Sequence, residues 1–374
     1  MGDVSSTDLF VFWFVVGLRL FVPLLIPRYP LPAVIAALVI DGIDQTVFQT
    51  FTSLPLDGYQ GYDKALDIYY LTVAYLSTLR NWTDGFAFAT AQFLWYYRLV
   101  GVVAFELAEA RWLLLVFPNT FEYFFIAYEA VRTMWDPRRL RHRQVLLLAA
   151  FIWVVIKLPQ EWWIHVAQLD FTDFMADHPW MWAVLAAAAA ILVGLLVAFR
   201  DRIPATDWAL TFDVDRHPTT IAAIPADPPT RRWAPIRHPV LEKAALVGLV
   251  SIIFVQILPD IDAGPVETFV VAGVAVLANA LAGHWLATRG RVWNSAATEF
   301  VGMGAFNTAV IGVLWLWRGD TSEGLPVGQA LFMVALLTLI VTLYSRFRLE
   351  RLPGASRVPW LPPATDRLGA AQMR

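Results

Sequence analysis

Residues 31–49 read LPAVIAALVIDGIDQTVFQ, an apolar run that takes Asp41 and Asp44 into itself without a break. If a helix ends before Asp41, the acids belong to a loop; if it continues, they lie inside a membrane. Composition decides between the two. Hydrophobic residues make up 58% of the 374-residue chain and charged residues 16%, whereas about a quarter of a soluble domain is charged. Stretches of about 20 apolar residues, enough to cross a hydrocarbon layer of about 30 Å, recur from end to end. About eleven stand out, at 8–26, 32–50, 65–80, 85–108, 111–134, 144–166, 178–199, 239–259, 264–288, 292–317 and 325–346. Backbone amides in lipid must be paired within their own segment, and these runs are too long and too apolar for barrel strands. The expected fold class is therefore all-α: a polytopic integral membrane helical bundle of about 11 transmembrane helices.

Basic loops stay in the cytoplasm. The segments 136–143, 200–238, 288–291 and 345–351 are rich in arginine, while 168–179, 259–264 and 319–324 are acidic or bare, and the two kinds alternate. This pattern predicts an N-terminus outside and a C-terminus inside. It also divides the chain into a block at 1–199 with polar residues inside its spans, a Pro-rich cytoplasmic linker at 200–238, an apolar block at 239–346 and a basic cytoplasmic tail at 347–374. Membrane lipids are the expected surroundings, and no nucleic-acid partner is expected of a chain with net charge −3. No Gly-rich phosphate loop or Rossmann fingerprint occurs, which argues against a nucleotide-driven pump. The absence of cysteine excludes disulfides, thiolate metal sites and thiol nucleophiles. Scarce lysine beside abundant arginine, alanine and tryptophan points to a GC-rich bacterial source, hence a multi-pass protein of the bacterial inner (cell) membrane. Small residues around Ala275, Ala278 and Ala282 suit close helix packing, within one chain or between copies in an oligomer.

Charges inside a span cost about 2.5–3.5 kcal/mol each even on the lenient insertion scale, so a group of them needs a reason. With a rise of about 1.5 Å per residue, Asp41 and Asp44 fall roughly 14 and 18 Å into their span, with Gln45 expected on the same face. In the sixth window Lys157, Glu161 and His165 follow at i, i+4 and i+8, and Pro159 predicts a kink among them. Glu122 and Glu129 share a face of the fifth window, after Pro118 and Asn119. Arg19 and Arg98 are natural counter-ions, and pairs such as Arg98 with Glu129 or Lys157 with Asp44 could simply staple helices together. Acids outnumber bases at this depth, so some carboxylates must be protonated, hydrated or bound to a cation.

The candidate ligand- or ion-binding residues are thus Asp41, Asp44, Gln45, Glu122, Lys157, Glu161 and His165, with Arg98 and Glu129 as counter-ions. A divalent cation is the one cofactor considered, on Asp41, Asp44, Glu161 and His165. The favoured function is transport: a cation or proton, with or without a small polar solute, bound at a mid-membrane acidic cluster. Two alternatives stay open. One is an embedded enzyme acting on a lipid or lipid-linked substrate at the outer leaflet, with Glu161 and His165 in acid–base or metal chemistry and Asp57, Asp63, Asp67, Glu106 and Glu109 lining a vestibule. The other is an accessory subunit of a membrane complex.

Overall fold

The computed structural model describes residues 5–53, 59–167, 171–198, 200–202, 204–216, 239–257, 264–288, 295–318 and 327–349. Among these residues the chain is all-helical, without strands. The helices are α1 (Ser6–Phe21), α2 (Pro30–Phe51), α3 (Tyr59–Asn81), α4 (Gly85–Ala108), α5 (Trp112–Val116), α6 (Thr120–Arg132) and α7 (His142–Val166). They continue with α8 (Phe171–Asp177), α9 (Met181–Ala198), α10 (Pro239–Ile257), α11 (Pro265–Thr288), α12 (Ala296–Arg318) and α13 (Val327–Leu349). Among the described residues six segments are long and apolar enough to cross a membrane, consistent with a multi-pass membrane protein: Ser6–Leu25, Pro30–Phe51, His142–Val166, Val240–Ile257, Pro265–Ala282 and Ala330–Phe347. Helix α2 runs unbroken through Asp41 and Asp44, so the acids are intrahelical.

The distribution of side chains is that of a membrane protein. Phe10, Trp13, Phe14, Phe21, Val39, Phe51, Phe151 and Val154 face outward, while Arg19, Asp44, Glu122, Lys157 and Glu161 are buried. Water outside would penalise that arrangement; hydrocarbon outside favours it.

Two irregularities shape the first block. The fifth window is not one helix, because Phe117, Pro118 and Asn119 separate α5 from α6. Proline lacks an amide hydrogen and restricts the residue before it, so the helix stops there. In α7 the bonding widens to π turns over Ile152–Lys157 and Trp162–Val166, on either side of Pro159. A wider turn moves the carbonyl that the proline ring would strike, so the irregularity expected at Pro159 takes the form of π turns within a continuous helix.

The second block packs against α3 and α4 through α10 and α13. Its polar anchor is Glu242, fully buried at the start of α10. Tyr75 donates to its carboxylate, as do Gln92 Nε2 at 2.9 Å and Tyr344 at 3.0 Å, while Tyr96 donates to its backbone carbonyl at 3.0 Å. Four helices thereby meet on one side chain. Asn279 of α11 donates to Asn307 of α12, which donates to Thr338 of α13. Of the small residues of α11, Ala275, Ala278 and Ala282 are half-buried, beside buried Ala272, Val276 and Asn279.

Part of the linker is ordered against the helix ends. Asp207 and Trp208 donate backbone hydrogen bonds to Met134, Thr211 to Thr133 and Val214 to Arg28. Arg80 pairs with Asp215 at 2.6 Å, Arg139 with Asp207 at 2.7 Å and Arg28 with Asp213 at 3.3 Å. Asp213 in turn holds the Arg28 guanidinium above its ordinary pKa, first through their hydrogen bond. Residues 217–238 and 350–374, which include the rest of the linker and almost all of the tail, lie outside the described residues.

Replacing Glu242 with Ala strands three buried neutral donors at about 1–3 kcal/mol each, so stability should fall by about 3 kcal/mol or more, while Glu242→Gln, which keeps an acceptor, should cost less than about half of that. Thermal unfolding of both variants in detergent checks the difference.

Candidate functional site

The aspartates of α2 gather around Arg19 of α1. Four carboxylates, those of Asp41, Asp44, Asp63 and Asp67, pair with this one guanidinium, Asp67 at 2.7 Å. Helical spacing explains the convergence: Ala37, Asp41, Asp44 and Phe48 recur at i, i+4, i+7 and i+11 along the inward face of α2. Asp63, Asp67 and Tyr70 do the same at i, i+4 and i+7 on α3. Arg19 and Asp44 are buried, but the side chains of Asp63 and Asp67 remain 37% and 40% exposed, so the group is reachable from one side. An oxygen of Asp67 also lies within 4.8 Å of one of Asp41. Two carboxylates so close repel each other unless positive charge or a proton lies between them, and Arg19 Nη2, which pairs with both, supplies part of that charge.

Oxygens of Asp41, Asp63 and Asp67 all fall within 4.8 Å of one another. Metal–oxygen bonds of about 2.3–2.6 Å for calcium allow such a triangle to surround one ion. An all-oxygen set suits magnesium, calcium or manganese rather than zinc.

A second charged group surrounds the break between α5 and α6. Lys157 Nζ lies 3.4 Å from Glu122 Oε2 and 3.8 Å from the centre of the Tyr123 ring. His165 Nε2 lies 3.0 Å from Glu161 Oε2. The interrupted backbone is satisfied by side chains: Tyr97 donates to the Val116 carbonyl at 3.0 Å and Arg98 to the Phe117 carbonyl at 3.0 Å. The Asn119 amide donates to Glu161 Oε1 at 3.0 Å, and Asn119 Nδ2 to Glu122 Oε2 at 3.1 Å. Glu122 sits in the first turn of α6, where the exposed amides and the helix dipole favour a negative charge. Gly101 lets α4 approach the break, since a Cβ there would overlap that of Phe117.

The expected residues therefore separate into two groups. Asp41 and Asp44 meet Arg19, not Lys157; Lys157 meets Glu122 instead. The set of Asp41, Asp44, Glu161 and His165 is not brought together, because Glu161 is engaged with His165 and Asn119 at the break. Gln45 is exposed: a residue directly after buried Asp44 is turned about 100° away from it. Arg98 caps the Phe117 carbonyl and does not reach Glu129, which accepts from Trp82 Nε1 at 2.6 Å and pairs with Arg132 at 3.2 Å. Of the outer acids, Asp63 and Asp67 belong to the Arg19 group, Glu106 lies 3.6 Å from Lys64, and Asp57 falls outside the described residues. Glu109 is exposed at the end of α4, with a left-handed backbone at φ 51. Asp63 and Tyr70 share the helical spacing of Asp67, and α3 begins at Tyr59, six residues before the apolar window at 65–80, which is why Asp63 lies on a helix.

Compared with known proteins, the chain matches no family model, no curated protein and no solved structure.

A Gly101→Ala substitution should destabilise the protein by about 1–3 kcal/mol through overpacking, which outweighs the gain of about 0.5–1 kcal/mol from better helix propensity. Gly17, whose added Cβ would meet nothing within 4 Å, provides the control. Gly17→Ala should leave the detergent melting temperature unchanged or slightly raised, and Gly101→Ala should lower it.

Proposed function

We propose that this chain is a membrane transport protein whose aspartate group, held around Arg19 at mid-membrane depth, binds a cation or proton during translocation. The observation that carries the reading is the convergence of Asp41, Asp63 and Asp67 on a single shared guanidinium. One positive charge does not balance them, and charge in apolar surroundings demands neutralisation. A proton, or a cation held by oxygen ligands, completes the group. The partial exposure of Asp63 and Asp67 gives such a species access.

In this reading the chain crosses the membrane about eleven times, with the N-terminus outside and the C-terminus inside a bacterial inner membrane. The basic segment around Arg138 and Arg139 and the ordered linker then share the cytoplasmic side. The second reading, an enzyme acting on a lipid-linked substrate, is favoured by one observation: His165, 24% exposed, is paired with Glu161 near the outward end of α7. Acid–base work at the outer leaflet would use that pair and not the aspartates.

Reconstituted in proteoliposomes, the wild type should move protons or one of sodium, potassium, magnesium or manganese, read by a pH dye and by isotope or fluorescence uptake. Asp67→Asn should reduce that flux by at least about tenfold, an effect of about 1.4 kcal/mol or more. Unchanged flux in this variant would reject the aspartate group as the translocation site. The orientation has its own check, because a chain without native cysteine accepts single reporters cleanly. Thr50→Cys should react with an impermeant thiol reagent added outside intact cells, and Thr206→Cys only after permeabilisation.

A further inference from the structure

Residues 204–216 lie across one end of the first block as a strap, with a single 3-10 turn at Val214–Arg216. From 204 to 215 the strap carries three acids, Asp207, Asp213 and Asp215, and no base. Each acid meets an arginine from a different segment: Asp207 meets Arg139 between α6 and α7, Asp213 meets Arg28 before α2, and Asp215 meets Arg80 in the last turn of α3. Asp215 also lies 3.8 Å from Arg28 Nε. The ends of α2, α3 and α6 are thus drawn together by charges on one short stretch of chain.

Little else in the strap resists release. Leu210 and Phe212 are exposed, and Val214 alone among its hydrophobic residues is buried. Its amides at Asp207, Thr211 and Val214 donate to the carbonyls of Met134, Thr133 and Arg28, bonds that water can replace once the segment lifts. A segment with few buried apolar contacts belongs to the low-stability end of a fold. Exposed ion pairs are weak singly and screened by salt, with a Debye length that falls from about 10 Å at 0.1 M to about 3 Å at 1 M. Arg28 and Arg139 are exposed, so salt reaches these pairs.

The position of the strap gives its release a consequence. Asp63 and Asp67 lie in the first half of α3, and Arg80 follows Asp67 by 13 residues, about 20 Å of helix. The aspartate group is therefore reached toward one end of the helices, and the strap covers the other. There Thr211 and Phe212 line a small hollow with Pro30 and Leu31 of α2 and Arg132 of α6. We infer that residues 204–216 form an electrostatic strap that holds the ends of α2, α3 and α6 together and lets go as ionic strength rises. The strap acts on the bundle whatever the chain carries, so it goes beyond the transport reading and does not rest on it.

The chain has no cysteine, so Val214→Cys in the full-length protein reports the strap through its rate of reaction with a maleimide in detergent. Labelling should be slow at about 20 mM salt and at least about tenfold faster at about 500 mM, as the ion pairs are screened. Thr206→Cys, exposed on the strap, should label at one rate throughout. Arg139→Gln and Asp215→Asn should each release Val214→Cys at lower salt than the unaltered strap needs. A nitroxide on Ala209→Cys, which leaves Val214 in place, should gain mobility over the same salt range. Sucrose at equal osmolality should release nothing, and the helical circular dichroism should not change with salt. A strap held by packing alone would keep one labelling rate and one mobility at every salt concentration, which would overturn the inference. Release by sucrose, loss of helix with salt, or a salt response that neither variant moves would overturn it as well.

Discussion

One guanidinium shared by four carboxylates sets the terms for the first block. Arg19 is buried in α1, where an unpaired charge would be prohibitive, and its partners come from α2 and α3. The three helices must therefore meet at this depth, and α1 is tied further to α3 by the Tyr69 hydroxyl, which donates to the Leu20 carbonyl at 2.9 Å. Asp8 at the start of α1 accepts from Ser53 beyond the end of α2 at 2.9 Å, which fixes the opposite end of the hairpin. Lipid gives such helices no hydrophobic reason to associate, so polar contacts and packing carry the association.

The same constraint explains the break between α5 and α6. Groups freed when a helix stops inside a bilayer have no water to turn to. Here the Val116 and Phe117 carbonyls and the Asn119 amide are met by side chains from neighbouring helices, Tyr97 and Arg98 from α4 and Glu161 from α7, while the Pro118 carbonyl accepts from the Thr120 amide at 2.8 Å. The break thus draws charged residues to itself, and the widened turns of α7 place Lys157 and Glu161 on either side of Pro159 to meet it. Structural need and chemical opportunity coincide at one place. Tyr70 donates to Glu122 from α3, the helix that also carries Asp63 and Asp67, and so ties this group to that helix.

Glu242 shows the limit of treating every buried acid as functional. Its described side-chain partners, Tyr75, Gln92 and Tyr344, are neutral donors from three helices, and the contact joins the two halves of the chain. Asn81 makes a related point. Its buried side chain donates to the Pro27 carbonyl at 3.0 Å and so holds the end of α3 to the turn before α2.

Much was determined by the sequence alone: the helical class, the six described segments long and apolar enough to cross a membrane, the intrahelical placement of Asp41 and Asp44, and the excess of acid over base within the first block. These follow from local properties, since apolar length and a period of about 3.6 residues are written along the chain. The sequence also marked Pro118 and Pro159 as irregular, because proline acts on its own neighbours. Which acid meets which base was decided only by the tertiary structure. Helix spacing places Lys157 on a face but does not say which helix that face meets, so Glu122 and Asp44 were equally eligible until the bundle assembled. Arg19 reaches Asp63 across 44 positions of sequence, and Tyr70 reaches Glu122 across 52; such pairings depend on how helices are rotated and stacked, which no local pattern encodes.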